Sequence, residues 1–161
     1  MSTAGDVSRR GGRNEADVDR QVRFQIYRDF AAGAERPSAE GVASTVGLPL
    51  TVVESSLERL AAAHVIVLAP GTRNIWMAHP FSAVPTAYPV NTAERTYWAN
   101  CAWDALGIPA LLGVDAETRT QCADCGDSLT LRVEAGRVQL QAAVVHFVVP
   151  PSRFWENVGF T

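Results

Sequence analysis

The side chains best suited to bond-making in this 161-residue chain are three cysteines, Cys101, Cys122 and Cys125, and three histidines, His64, His79 and His146. Cys101 and Asp104 stand three residues apart within Tyr97-Trp98-Ala99-Asn100-Cys101-Ala102-Trp103-Asp104-Ala105-Leu106. On a helix that spacing sets a thiol and a carboxyl on one face, about one turn apart. A thiolate can hold a soft metal, and a carboxyl beside it can hand a proton to whatever that metal carries. The same spacing admits a plainer reading, in which Cys101 packs as a small hydrophobe and Asp104 caps a local backbone group. Cys122-Ala123-Asp124-Cys125-Gly126 is a C-x-x-C knuckle, a turn that zinc sites use. One knuckle is half of a four-ligand zinc site, and its companions here would be Cys101 with His146 or Asp104. The alternative is two free thiols in a hairpin. No Ser-His-Asp set, dinucleotide fingerprint or H-E-x-x-H motif occurs.

Four helices are expected to carry these groups. Residues 1–14 are polar and rich in Gly, Arg and Ser, and read as a disordered tail. Val18, Val22, Ile26 and Phe30 then recur every four residues, with Tyr27 beside them and Gly33 as the stop. Ser38 and Gly47 bracket a second helix. Thr51 with Glu54 is a capping-box signature for a third, whose buried face is Val53, Leu57, Leu60 and Ala61. Val65–Leu68 and Asn74–Met77 read as a hairpin across Pro70-Gly71. Three helices and a hairpin over 15–80 are the layout of a winged helix-turn-helix. The proline-rich stretch 81–90 reads as a linker, with His79 just ahead of it. Asn91 with Glu94 predicts a fourth helix running to Leu106 and stopped by Gly107 and Pro109, with Ala110–Gly113 a separate apolar segment. Strands are expected at Thr118–Gln121, Leu129–Glu134, Val138–Gln141 and Val144–Val149, with turns at Cys122–Asp127 and Ala135-Gly136. His64 would close the third helix, and His146 would be a core histidine in its strand. Tyr97, Trp98, Trp103 and Trp155 read as core, or as an aromatic wall for an apolar group. The fold class expected is α+β.

Composition excludes several functions. All 14 basic residues are Arg, which removes Schiff-base lysine chemistry and a P-loop lysine. A net charge of -3 argues against a phosphate-neutralising protein. The third helix offers Glu54, Glu58 and only Arg59, so nucleic acid is not expected as a partner. No apolar run approaches the ~20 residues of a membrane span, and the N-terminus lacks the apolar stretch of a secretory signal. An odd, low number of cysteines points to a reducing cytoplasm rather than a disulfide scaffold.

The block Trp98–Gly113, W-A-N-C-A-W-D-A-L-G-I-P-A-L-L-G, resembles the signature segment of the alkylmercury lyases, enzymes that cleave organomercurials. The likeness continues more weakly through Gln121-Cys122, Val145-His146-Phe147 and Trp155. It implies a helical, winged-helix-like domain at 15–80 and a small mixed lyase-like domain at 91–161. It also implies Cys101 as a mercury-binding thiolate, Asp104 as proton donor and metal contact, and a structural role for Cys122. The family's second active-site cysteine falls at Ala142, which ligates nothing; Cys125 is then the candidate for a relocated second thiolate. The expected metal ligands are therefore Cys101, Cys122, Cys125 and Asp104. The expected activity is protonolysis of carbon–mercury bonds without a required cofactor, with Hg(II) or another soft or borderline metal such as Zn as the bound ion. The expected partner is a small organometallic substrate or a metal ion, and a homodimer is open to the chain. Two alternatives stand beside this: a non-catalytic soft-metal binder of the same fold, and a winged-helix metal-sensing regulator.

Overall fold

The computed structural model describes residues 14–33, 36–139, 144–147 and 149–159. The expected tail, apart from Asn14, and Ala142 lie outside the described residues. The fold is α+β. Helix α1 (Glu15–Ala31) starts at Asn14, whose side chain caps the Ala16 N–H. It buries the expected stripe of Val18, Val22, Ile26 and Phe30. Helix α2 (Ala39–Val46) has Ser38 as its cap, bonded to the Gly41 N–H at 3.0 Å, and Gly47 in the left-handed conformation at its end. Helix α3 (Leu50–Ala62) begins a turn differently from the expectation. Pro49 occupies the cap position and Thr51 lies inside the helix, so Thr51 and Glu54 form no capping box. The fixed φ of Pro49 already aims the chain into the helix. Asp19 of α1 accepts bonds from both Ser56 and Arg59 of α3, at 2.6 Å each, and ties the two helices together.

Three short antiparallel strands follow, β1 (Val67–Leu68), β2 (Ile75–Ala78) and β3 (Phe81–Ser82). The stretch 81–90 is thus not a bare connection. Phe81 is 1% exposed, stacks on Phe30 at 5.3 Å and touches the rings of Tyr27 and Tyr97. One hydrophobic cluster runs from α1 through Phe81 to Val90, Ile108 and Leu131.

A second sheet has the order β5-β4-β6-β7-β8, all antiparallel, from β4 (Pro89–Asn91), β5 (Thr96–Trp98), β6 (Ala116–Gln121), β7 (Ser128–Glu134) and β8 (Arg137–Gln139). Residues 91–98 therefore form a hairpin rather than the first half of a helix. The Thr92 hydroxyl accepts from the N–H groups of Glu94 and Arg95 and closes the turn, a use of Thr that competes with helix capping. Helix α4 (Ala102–Leu112) starts later and ends later than expected, with Pro109 inside it and Gly113 as its left-handed stop. Pro109 costs one backbone bond, but it is buried against the core, and the helix absorbs Ala110–Leu112. Arg95 and Tyr97 reach back to the end of α1, bonding the carbonyls of its C-cap Ala32 and of Ala31. Ala135 and Gly136 both take positive φ in the β7–β8 turn, the geometry of a tight hairpin. Residues 144–147 are irregular, not a strand, and His146 is exposed rather than a core histidine. A 3-10 turn, Pro151–Glu156, closes the described chain. No helix among the described residues is long and apolar enough to cross a membrane.

Candidate active site

Cys101 and Asp104 are neighbours, but not as two residues within a helix. Cys101 is the N-cap of α4, with extended φ and ψ of -151° and 180°. Its Sγ accepts from the Asp104 N–H at 3.5 Å, and its carbonyl accepts from the Ala105 N–H at 2.9 Å. Sulfur is a weaker acceptor than the hydroxyl or carboxylate oxygens that usually cap helices. Asp104 occupies the first turn, where the helix dipole favours a negative charge.

The Asp104 carboxyl is held by two side chains. Asn100 Nδ2 donates to Oδ2 at 3.1 Å, and His79 Nδ1 lies 3.2 Å from the same oxygen. An ionised carboxylate only accepts, so the hydrogen is then on Nδ1; a neutral Asp104 donates it to a bare Nδ1 instead. Either way the pair shares one proton. Asn100 Nδ2 also faces the carbonyls of Pro80 and Phe81 at 3.3 Å each, which fixes the orientation of the amide. Its Oδ1 is buried without a hydrogen-bond partner among the described residues. His79 is positioned from α1, because the Tyr27 hydroxyl donates to its carbonyl at 2.8 Å. Burial raises the Tyr27 phenol, so it stays a donor. The Asp104 side chain is 13% exposed and His79 is 36% exposed, so the imidazole stands between the carboxyl and water.

These groups line a cavity of about 550 Å³. Its other walls are apolar or aromatic, chiefly Met77, Tyr88, Trp103, Phe147, Phe154 and Trp155. Trp103 and Trp155 are rim residues rather than core: Trp103 is 60% exposed and meets Phe147, while Trp155 stacks on His64 at 4.3 Å and turns its plane edge-on to His79. Burial pushes the Cys101 thiol above its ordinary range, and the neighbouring Asp104 charge pushes it the same way. A helix N-terminus alone lowers a thiol; here the N–H groups of Asp104 and Trp103 act in that direction and are outweighed.

The other two thiols lie elsewhere. Cys122 and Cys125 occupy the β6–β7 turn and do not line the Cys101 cavity. Among the described residues no group of three or more His, Cys, Asp and Glu side chains is placed to hold a metal ion. The four expected ligands are therefore divided into two places, Cys101 with Asp104 and Cys122 with Cys125. His79 and Asn100 are the residues that sequence reasoning missed. Asn100 was readable as a polar side chain four before Asp104, but nothing local marks His79, which is 25 residues away and arrives through β2.

The alkylmercury lyase family model matches residues 81–161, which include Cys101, Asp104 and the aromatic rim but not His79. An alkylmercury lyase of Bacillus cereus is 26% identical over 130 residues, covering 79% of this chain and 57% of the relative. One of Staphylococcus epidermidis is 28% identical over 146 residues, covering 85% and 65%. The chain thus spans well under two thirds of the Bacillus relative and just under two thirds of the Staphylococcus one. A solved structure described as the mercury-bound form of MerB2 superposes with a TM-score of 0.59 at 21% identity, over 80% of this chain and 60% of that one. At that identity the likeness is one of fold.

Proposed function

The chain belongs to the alkylmercury lyase family, and from that premise we propose that the cavity binds an organomercury cation on the Cys101 sulfur and cleaves its carbon–mercury bond with a proton delivered by Asp104. The observation that supports this best is the start of α4: one thiol and one carboxyl, joined by the Asp104 N–H···Sγ contact of 3.5 Å, opening together into an apolar cavity. Mercury is here the substrate's own atom. Soft Hg(II) prefers sulfur to the oxygen and nitrogen around it, and the aromatic rim suits an alkyl or aryl group. Sulfur at a position where serine would cap the helix better is itself in keeping with this role.

The step balances without a cofactor. Cys101 arrives as a protonated thiol, as its raised position requires. As its sulfur bonds to mercury, its proton passes to the Asp104 carboxylate. Asp104 then gives that proton to the departing carbon, which leaves as hydrocarbon, and the carboxylate is regenerated. Mercury remains on Cys101 with the thiolate it brought from solution, and that exogenous thiolate stands in for the second cysteine that Ala142 lacks. His79 and Asn100 are positioning residues: they hold Asp104 Oδ2, and His79 connects that oxygen to water.

A second reading has its own support. Cys101 is the only thiol among the described residues lining the cavity, which favours retention of a soft metal without bond cleavage. The regulator reading has less behind it, since Arg59, the one basic side chain of α3, is engaged by Asp19. Gas chromatography of the headspace decides between cleavage and retention. With a phenylmercury salt and excess monothiol, wild type is expected to release benzene and Cys101→Ser is not. Stoichiometric binding with no hydrocarbon at any thiol concentration would establish the binder instead.

A further inference from the structure

The β6–β7 turn carries two sulfurs in one short loop. The Cys122 N–H donates to the Asp127 carbonyl at 2.8 Å and the Gly126 N–H to the Cys122 carbonyl at 2.9 Å, so the segment closes in one tight loop. Gly126, with φ of 77°, takes a conformation that a side chain would strain. Both cysteines stand in this one closed loop, three residues apart. Cys125 is exposed, and Cys122 opens onto a separate cleft of about 430 Å³. Tyr88 is a wall of both this cleft and the Cys101 cavity.

We propose that the Cys122–Cys125 turn is a second, separate binding site for a soft cation of coordination number two, and that it receives the Hg(II) left on Cys101. Two ligands suit such a cation, whereas zinc requires about four, and no group of three candidate ligands exists among the described residues. The transfer is a ligand exchange without oxidation. Two mercury–sulfur bonds, to Cys101 and to the exogenous thiolate, are replaced by bonds to Cys122 and Cys125. The protons of the two turn thiols pass to Cys101 and to the released thiol. The exchange is favourable because the second turn sulfur acts at the high effective concentration of a tethered group, which a monothiol in solution lacks. The site itself is independent of the proposed lyase chemistry; only the transfer rests on it.

The test uses Hg(II) chloride as the probe, in a large excess of 2-mercaptoethanol, followed by gel filtration, native mass spectrometry and the ultraviolet sulfur-to-mercury absorption. Cys101→Ser is expected to retain one Hg(II) per chain under this competition. Adding Cys122→Ser and Cys125→Ser to that variant is expected to weaken retention at least about a hundredfold. Thermal melts confirm that each variant is folded, and the single changes Cys122→Ser and Cys125→Ser repeat the loss. The site proposal is overturned if Cys101→Ser holds no mercury, or if one ion is found bridging two chains. Transfer is read separately, with an organomercurial at limiting thiol: the Cys122→Ser/Cys125→Ser protein is expected to slow after the first equivalent of hydrocarbon. Equal turnover in the two proteins overturns the transfer. Absence of hydrocarbon from wild type overturns the lyase reading and leaves the mercury-retention result to stand by itself.

Discussion

The two thiol regions of this protein differ in burial and in what surrounds the sulfur. Cys101 is a helix cap on the wall of an apolar cavity, with a carboxylate one turn away, and both burial and that charge raise its thiol. Cys122 sits in an exposed turn where backbone N–H groups of Cys125 and Asp124 lower it. In Cys125 the Asp127 N–H acts downward too, but its bonds to Cys122 and to the Asp127 side chain leave it raised. The first environment keeps a proton available beside the sulfur. The second sets two sulfurs in one exposed turn, with only Cys122 lowered. Under the functions proposed above, the first setting suits proton delivery and the second suits metal capture.

The largest effect that could break this division is on bond cleavage. Cys101→Ser is expected to reduce hydrocarbon release by about a thousandfold or more, as loss of a bond-forming group does; the corresponding change in the turn, Cys122→Ser, is expected to slow only turnover at limiting thiol, by a few-fold. Equal effects of the two changes on the first equivalent would erase the distinction. Asp104→Asn comes next, with a fall of about 10²–10⁴-fold in single-turnover release. The same variant is expected to alkylate faster at Cys101, because the charge that raised the thiol is gone.

His79→Ala is expected to lower cleavage by about tenfold, with the pH profile altered while mercury binding to Cys101 is kept. A loss of binding without a change in profile would make the imidazole a structural wall only. A smaller contrast is chemical. With iodoacetamide near neutral pH, mass spectrometry of peptides is expected to show Cys122 modified at least about ten times faster than Cys101.

The smallest effect is on stability. Serine keeps the α4 cap, so Cys101→Ser should melt close to wild type, while Cys101→Ala is expected to cost about 1 kcal/mol relative to serine. The raised thiol also gives a sign. Folded Cys101 holds its proton where the unfolded thiol has lost it, so its contribution is complete below the ordinary thiol range. It declines as pH rises from there through the folded value. Cys101→Ser should therefore flatten the alkaline limb of a stability profile measured by urea unfolding.

Several elements were legible from local rules. The every-fourth-residue stripe of α1, the Ser38 and Gly47 ends of α2 and the β6–β7 hairpin all follow from contacts within a few residues. The capping-box reading failed at two places for related reasons. Pro49 started α3 before Thr51 could, and Asn91, the other expected cap, ends β4 with its Oδ1 accepting from the Thr96 hydroxyl across the hairpin. Pro109 was read as a stop, yet it is buried in α4, where packing against the core outweighs the missing bond.

The spacing of Cys101 and Asp104 determined by itself that thiol and carboxyl would be neighbours, because three residues separate them in a cap as well as in a helix. The residue types of the Cys122–Cys125 turn likewise determined a two-sulfur loop. Tertiary structure alone decided that the two sulfur regions stay apart and that His79 meets Asp104. His79 reaches that carboxyl because β2 pairs with its neighbours and Tyr27 of α1 holds its carbonyl. Such a contact joins elements 25 and 52 residues apart. It is set by the shared core around Phe81, and no local pattern of residue types encodes it.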